Sequence, residues 1–92
     1  MVKMDKVLCL TVGTTAAEAK IHGMTCLVQN LTADTTVYVK EKRDDGIAVT
    51  ASTGWAIPGG RELRCPVAAM DLSLVSDSED GSDVRILILD EV

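Results

Sequence analysis

Residues 84–89 read VRILIL, the most strongly β-forming stretch of the chain. Five of these six residues are apolar, so a strand formed here would be largely apolar on both faces. Such a strand has to be covered on both sides, either in the centre of a sheet or against a partner molecule. We therefore predict a strand here that is central in its sheet or covered by a partner.

Short apolar runs separated by turn signals fill most of the remaining chain. In residues 35–41, Val37 and Val39 share one face, and polar residues with Tyr38 occupy the other. Strand and turn signals at this spacing are typical of a small antiparallel β-sandwich or barrel. We predict an all-β fold of about seven strands in a single domain, residues 1–92, because a chain this short cannot support two cores. The other predicted strands are residues 7–12, 24–31, 47–51, 62–67 and 71–76.

Two connections carry clear turn signals. Asp45–Gly46 favours a tight hairpin because both residues tolerate positive φ, and this predicts that residues 35–41 pair with residues 47–51. Residues 52–60 (STGWAIPGG) are predicted to form a loop, since Pro58 fixes φ and the two glycines after it permit a reversal.

The segment between the first two predicted strands has two interpretations. Thr15 and Glu18 stand at the spacing of a helix capping box, but residues 14–20 are too few to hold a helix by themselves. We predict a single turn or an extended connection.

The composition predicts a thin, aliphatic core. Apolar residues make up 47% of the chain and aromatic residues only 2%, represented by Trp55 and Tyr38. Each fully buried aliphatic side chain contributes about 1.5–3 kcal/mol, which leaves a domain of this size marginally stable. Association with copies of itself or with a partner would bury further apolar surface.

Charge and cysteine content exclude several classes of protein. The net charge of −5 opposes binding to a nucleic-acid backbone. No apolar run approaches the roughly 20 residues of a membrane span, and residues 7–12 are too few for a signal peptide. Cys9, Cys26 and Cys65 form no CxxC pair and have apolar neighbours, so we expect reduced, buried thiols. The protein should be made in a reducing cytoplasm and remain there unless a particle carries it out.

The sequence contains no recognisable catalytic, cofactor-binding or metal-binding motif, and we expect a non-enzymatic protein. His22 is the only histidine, and its neighbours supply no triad partner. The turn at residues 76–83 is rich in acids, which suits calcium, but Leu87 stands where a calcium loop requires a bidentate Glu. We interpret this turn as solvated. Its acidic residues are Asp77, Glu79, Asp80 and Asp83.

Trp55 is the most distinctive residue of the predicted loop. A lone Trp beside Pro and Gly can pack over the end of a sandwich or stack on a sugar ring. It can also anchor a protein interface. We favour packing over the sandwich end, and the other two interpretations stay open.

Three segments, taken in order, carry a family resemblance. They are CLVQNLTADTTVYVKE at residues 26–41, Gly54 with Ile57-Pro58-Gly59 ahead of Leu63, and DLSLVSDS at residues 71–78 before VRILIL. In this order, over residues 25–89, they resemble small β-rich proteins from the structural gene clusters of tailed phages and prophages. Capsid decoration and head-fibre components are examples.

The resemblance implies a non-enzymatic virion structural or decoration protein. Such a subunit associates with itself, commonly as a trimer, and docks on another virion protein, so it would end up in the virion. We expect the apolar faces of residues 7–12 or 84–89 at the contact. The candidate interface residues are Trp55, Ile57, Val84, Ile86 and Ile88.

Two other functions stay open from the sequence. One is a small carbohydrate- or protein-binding β-sandwich module that uses the Trp55 loop and the acidic turn. The other is an enzyme or inhibitor whose site has no sequence signature.

Overall fold

The computed structural model describes residues 2–20, 25–42, 48–66 and 71–91. Within these ranges the chain forms eight β-strands and no helix, so the all-β prediction is confirmed with one strand more than expected. The strands are β1 (Val2–Val12), β2 (Ala17–Lys20), β3 (Thr25–Asn30), β4 (Thr36–Lys42), β5 (Trp55–Pro58), β6 (Glu62–Pro66), β7 (Asp71–Ser76) and β8 (Ser82–Glu91).

The strands form two four-stranded antiparallel sheets. The first sheet has the order β1-β8-β3-β6, and the second has the order β2-β7-β4-β5. Strand β1 therefore pairs with β8, β2 with β7, β3 with β6 and β4 with β5. This nested pairing is that of a long hairpin folded over on itself, which is the arrangement of a jelly roll.

The core lies between the two sheets and is aliphatic, as the composition predicts. Val28 and Ile86 of the first sheet and Val37 and Leu74 of the second have no exposed surface. Four partly buried apolar residues pack against this core, namely Leu8, Leu10, Leu63 and Ile88. Burial of branched aliphatic side chains from both sheets is the main driving force for this fold.

Strand β8 is central in the first sheet, between β1 and β3, as predicted. Its residues Val84 and Ile86 face the core and are fully buried. Arg85 and Leu87 alternate with them on the outer face and are only half-buried. The apolar run predicted that both faces of this strand would be covered. Within the described residues, only the inner face is fully buried.

The predicted pairing of residues 35–41 with residues 47–51 is wrong. Strand β4 lies between β5 and β7, residues 48–50 have no regular structure, and residues 51–53 form a turn. The predicted Asp45–Gly46 turn lies outside the described residues. The strand that pairs with β4 on this side is β5, inside the stretch predicted to be a loop. It can form there because Pro58, which lacks an N–H, is tolerated on an edge strand.

Residues 14–20 adopt the extended alternative. Residues 17–20 are strand β2, which pairs with β7 at the edge of the second sheet. Ala19 faces the core and is 4% exposed, so a small side chain closes this edge.

Residues 48–54, the covering segment, lie over the outer face of the second sheet. Val49 is 3% exposed, and its N–H donates to the Ser73 hydroxyl at 3.0 Å. A Cβ added at Gly54 would lie 2.6 Å from Val49 Cγ2 and 2.7 Å from Tyr38 Cβ, so only glycine fits this contact without movement. This contact places the segment over Ser73, which points away from the core and is 1% exposed.

A polar network joins the sheets at one end of the sandwich. The fully buried Asn30 side chain donates to the carbonyl oxygens of Ile57 at 3.1 Å and Thr35 at 3.2 Å. Its own oxygen accepts the Thr32 N–H at 3.1 Å. Asn30 thus links the ends of β3, β4 and β5, where the chain crosses between sheets.

Two buried serines extend this network to the last strands. The Ser76 and Ser82 hydroxyls lie 2.8 Å apart, and Ser82 donates to the Thr35 hydroxyl at 2.7 Å. Every buried side-chain N and O atom in the described residues has a hydrogen-bond partner. Satisfied buried networks of this kind fix one arrangement of the elements that they join.

Candidate functional site

The structure separates the five predicted interface residues into two groups. Ile57, Val84 and Ile86 are at most 1% exposed, and Ile88 packs against the same core. These four side chains are covered by the chain itself because they lie on the inner faces of their sheets. Trp55 is 67% exposed, so it alone of the five presents a large surface to another molecule.

The outer face of the first sheet, here called the open face, carries a row of apolar residues. Val7 is opposite Leu87, and Leu87 is opposite Leu27 on its other side. Val7 is 54% exposed, and the two leucines are half-buried. Sequence analysis placed the contact on residues 7–12 or 84–89 but did not separate the two faces of either strand.

The next row of the open face is polar and carries both charges. Cys9 is opposite Arg85, and Gln29 connects Arg85 to Glu62 at the far edge. Leu27 is also opposite Arg64, so a cation ends the apolar row. An apolar strip beside charges of both signs resembles the apolar centre and polar rim of a protein interface.

Trp55 lies at the mouth of a cleft on the side of the sandwich where the edge strands β5 and β6 meet. It is opposite Val39 in β4 and therefore belongs to the inner face of the second sheet. The cleft has a volume of about 430 Å³, and its lining residues are Val39, Lys40, Glu41, Trp55, Leu63, Arg64 and Leu72. Of the three interpretations of Trp55, this position disfavours packing over the sandwich end.

The acidic turn makes a structural contact. The Asp77 carboxylate accepts the Thr36 N–H at 2.9 Å and so fastens the turn to β4. Glu79, Asp80 and Asp83 are exposed. Among the residues that the structure describes, no group of three or more His, Cys, Asp or Glu is placed to hold a metal ion. His22 lies outside them.

The cysteines differ in their environments. Cys26 is fully buried, as predicted. The same prediction is wrong for Cys9, which is exposed because it falls on the outer side of β1, opposite Arg85. Cys65 is opposite Cys26 in the strand register, and the prediction for its side chain lies outside the described part of the chain.

Sequence analysis missed two features of this molecule. Asn30 was included in the predicted strand 24–31 without a role of its own, although an Asn between a strand and a Thr-rich turn is a common signal for a local side-chain hydrogen bond. The role of Val49 in the covering segment had no such signal, since it depends on contacts with distant strands.

Among the described residues, no helix is long and apolar enough to cross a membrane. Comparison of the chain with models of known protein families, with curated proteins and with solved structures gave no match in any of the three. The two candidate sites are the open face and the Trp55 cleft, and their geometry alone defines them.

Proposed function

We propose that this chain is a non-enzymatic structural subunit of a phage or prophage particle that associates with copies of itself and docks on another virion protein. The observation that carries the proposal is the open face, where Val7, Leu27 and Leu87 form a continuous apolar row across three strands. Apolar rows with a polar rim are the usual basis of protein association.

Two further observations support an associating subunit. The core is made of aliphatic residues without Phe, so an individual copy gains little stability from aromatic burial. The jelly roll is an architecture that viral capsid domains use, although lectin domains and enzymes use it too. The architecture therefore agrees with the proposal without carrying it.

Self-association is tested by light scattering after size exclusion, from about 10 to 500 μM protein. We expect an oligomer of fixed stoichiometry for the natural sequence. Val7→Lys should shift it to monomer, because a Lys charge in the apolar row would lose its water on association. Val7 is already more than half exposed, so the monomer should fold normally.

Thr11→Lys is the matched control. Thr11 is exposed on the same side of β1, four residues along from Val7 and beyond the apolar row. This variant should keep the oligomer. A monomer at every concentration, or equal loss of oligomer in both variants, would contradict association through the apolar row.

The virion context needs a separate experiment. The genes that neighbour its own are sequenced first, and each capsid or portal product found among them is co-expressed with the chain. The absence of such a gene contradicts the virion context. A complex of fixed stoichiometry on size exclusion supports docking, and independent elution of the two proteins contradicts it.

The exposure of Trp55 favours a second candidate function, a small binding module that recognises a carbohydrate or a protein through the cleft. Large exposed aromatic side chains are common at the centres of binding sites. This function does not need self-association, and a monomer with a ligand in the cleft would favour it over the first proposal.

A further inference from the structure

Strand β1 forms a long open edge of the first sheet. It is the outermost strand there, and among the described residues it pairs only with β8. Residues 6–12 follow β8 in a continuous register, beyond a shift between Met4 and Lys6. This stretch, here called the β1 edge, is longer than each of the other edge strands, β2, β5 and β6.

The other edge strands carry features that oppose pairing with a further strand. Strand β2 has exposed charged side chains at Glu18 and Lys20, and β5 and β6 end in Pro58 and Pro66. Natural proteins use charges and prolines at sheet edges to prevent such pairing. Residues 7–12, VLCLTV, contain neither a charge nor a proline. The β1 edge therefore lacks the usual protection against pairing.

The backbone groups of Val7, Cys9 and Thr11 point away from the first sheet. The Asp83 carbonyl oxygen accepts the Leu31 N–H at 2.8 Å, so the odd-numbered residues of β8 turn their hydrogen-bonding groups to β3. The even-numbered residues of β8 therefore bond to β1, where the register gives them even-numbered partners. The odd-numbered residues of the β1 edge direct their N–H and C=O groups to the outside of the sheet.

The β1 edge also leaves apolar surface for a neighbouring strand to cover. On the inner side, Leu8 and Leu10 pack against the core but are only partly buried. On the outer side, Val7 and Cys9 are exposed. A strand added here would cover side chains on both faces of the sheet, and it would also bond to the outward backbone groups.

The β1 edge is complementary to itself in an antiparallel arrangement. With a two-fold axis at Cys9, Leu8 is opposite Leu10 of the second copy, and Val7 is opposite Thr11. This register brings leucines together on the inner side, and it opposes no like charges because this part of the strand carries none. A two-fold contact between identical chains requires such self-complementarity, which favours a second copy over an unrelated strand.

We infer that the β1 edge pairs with the β1 edge of a second copy about a two-fold axis at Cys9. The two four-stranded sheets then become one sheet of eight strands. The inference rests on the proposed self-association and adds a second contact between copies. Two such sheets stacked through their open faces contain four copies, so the natural sequence should form a tetramer.

Cys9→Pro tests the contact because it removes an N–H that points to the outside of the sheet. Proline is tolerated on an edge strand when the missing N–H faces solvent, so each copy should still fold, as circular dichroism would show. Light scattering after size exclusion should give half the natural mass, since only the stacked open faces remain. Cys9→Ala is the matched control. It changes the same side chain but keeps the N–H, and it should keep the natural mass.

The masses also separate this inference from the proposed association through the apolar row. Cys9→Pro leaves that row unchanged, whereas Val7→Lys disrupts it. A natural dimer that Cys9→Pro makes monomeric and Val7→Lys leaves intact would support the edge contact and contradict the apolar row. An unchanged mass in Cys9→Pro, or an equal loss in Cys9→Ala, would overturn the edge contact. A trimer would overturn it as well, because a two-fold contact joins copies in pairs.

Amide hydrogen exchange decides the question in the natural protein, without a substitution. In an isolated copy the amides of Val7, Cys9 and Thr11 face solvent, whereas those of Leu8 and Leu10 bond to β8. Edge pairing should slow exchange of the odd-numbered amides by about tenfold or more and bring them close to their even-numbered neighbours. Fast odd-numbered amides between slow even-numbered ones in the natural oligomer would show an unpaired edge and overturn the inference.

Discussion

The outer faces of the two sheets are covered to different extents. On the second sheet, where residues 48–54 form the covering segment, Ser73 is 1% and Val75 9% exposed. On the first sheet, Val7 remains 54% exposed, and no described segment lies over its row. The long connection between β4 and β5 supplies enough chain to cover one face. The comparison indicates that apolar surface left outside a small fold is the first place to look for association.

The largest loss of stability is expected where the two sheets are joined, because several buried backbone groups there depend on one side chain. Asn30→Ala removes the donor to the Ile57 and Thr35 carbonyls and the acceptor for Thr32 N–H. Leaving these buried groups without partners should lower the free energy of unfolding by about 3–5 kcal/mol. Urea denaturation followed by circular dichroism measures it. A loss below about 1 kcal/mol would mean that the corner does not hold the sheets together.

The next largest effect separates the covered sheet from the open one. In Gly54→Ala the new methyl group would overlap Val49 and Tyr38, which should lift the covering segment and cost about 2–3 kcal/mol. Gly13→Ala is the control, because a Cβ there meets nothing within 4 Å. Equal stability of the two variants in urea would show that the segment does not pack tightly on the sheet.

The smallest effect tests the comparison with one residue type. Val49→Ala should destabilise the fold by about 2 kcal/mol, since it removes two buried methyl groups with which the covering segment packs on the sheet. Val7→Ala removes the same groups from the open face and should change stability by less than about 0.5 kcal/mol. Both are measured in urea at one low protein concentration, because association adds apparent stability. Similar losses in both variants would remove the distinction between the two faces.

The reliable sequence predictions were those that depend on neighbouring residues. The apolar run at residues 84–89 predicted a central strand, and β8 lies between β1 and β3. Alternation at residues 35–41 placed Val37 and Val39 on the buried side of β4. Both follow from the two-residue period of a strand, which can be read without knowledge of the partner strand.

Pairing predictions failed where the partner is distant. Asp45–Gly46 predicted that residues 47–51 pair with β4, but β5 and β7 occupy both sides of that strand. The local turn signal says nothing about competing strands, and Ile57 of β5 fills the core at 1% exposure. Pairing with β5 is therefore favoured by burial that the turn signal does not include.

The same division applies to the candidate sites. The sequence identified Trp55 as an unusual residue, but it could not place Glu41 and Leu63 beside it, because they come from β4 and β6. It also predicted interface roles for Ile57, Val84 and Ile86, which the structure buries. An apolar residue suits a core and an interface equally well, and only its position relative to the other sheet distinguishes them.

The sequence by itself determined that this protein is an all-β, aliphatic and acidic domain, since composition and the two-residue alternation depend only on the order of residues. Tertiary structure decided which strands pair, which outer face is covered and where Trp55 lies. These depend on contacts between segments far apart in the chain, where burial and close approach at positions such as Gly54 select one arrangement from many.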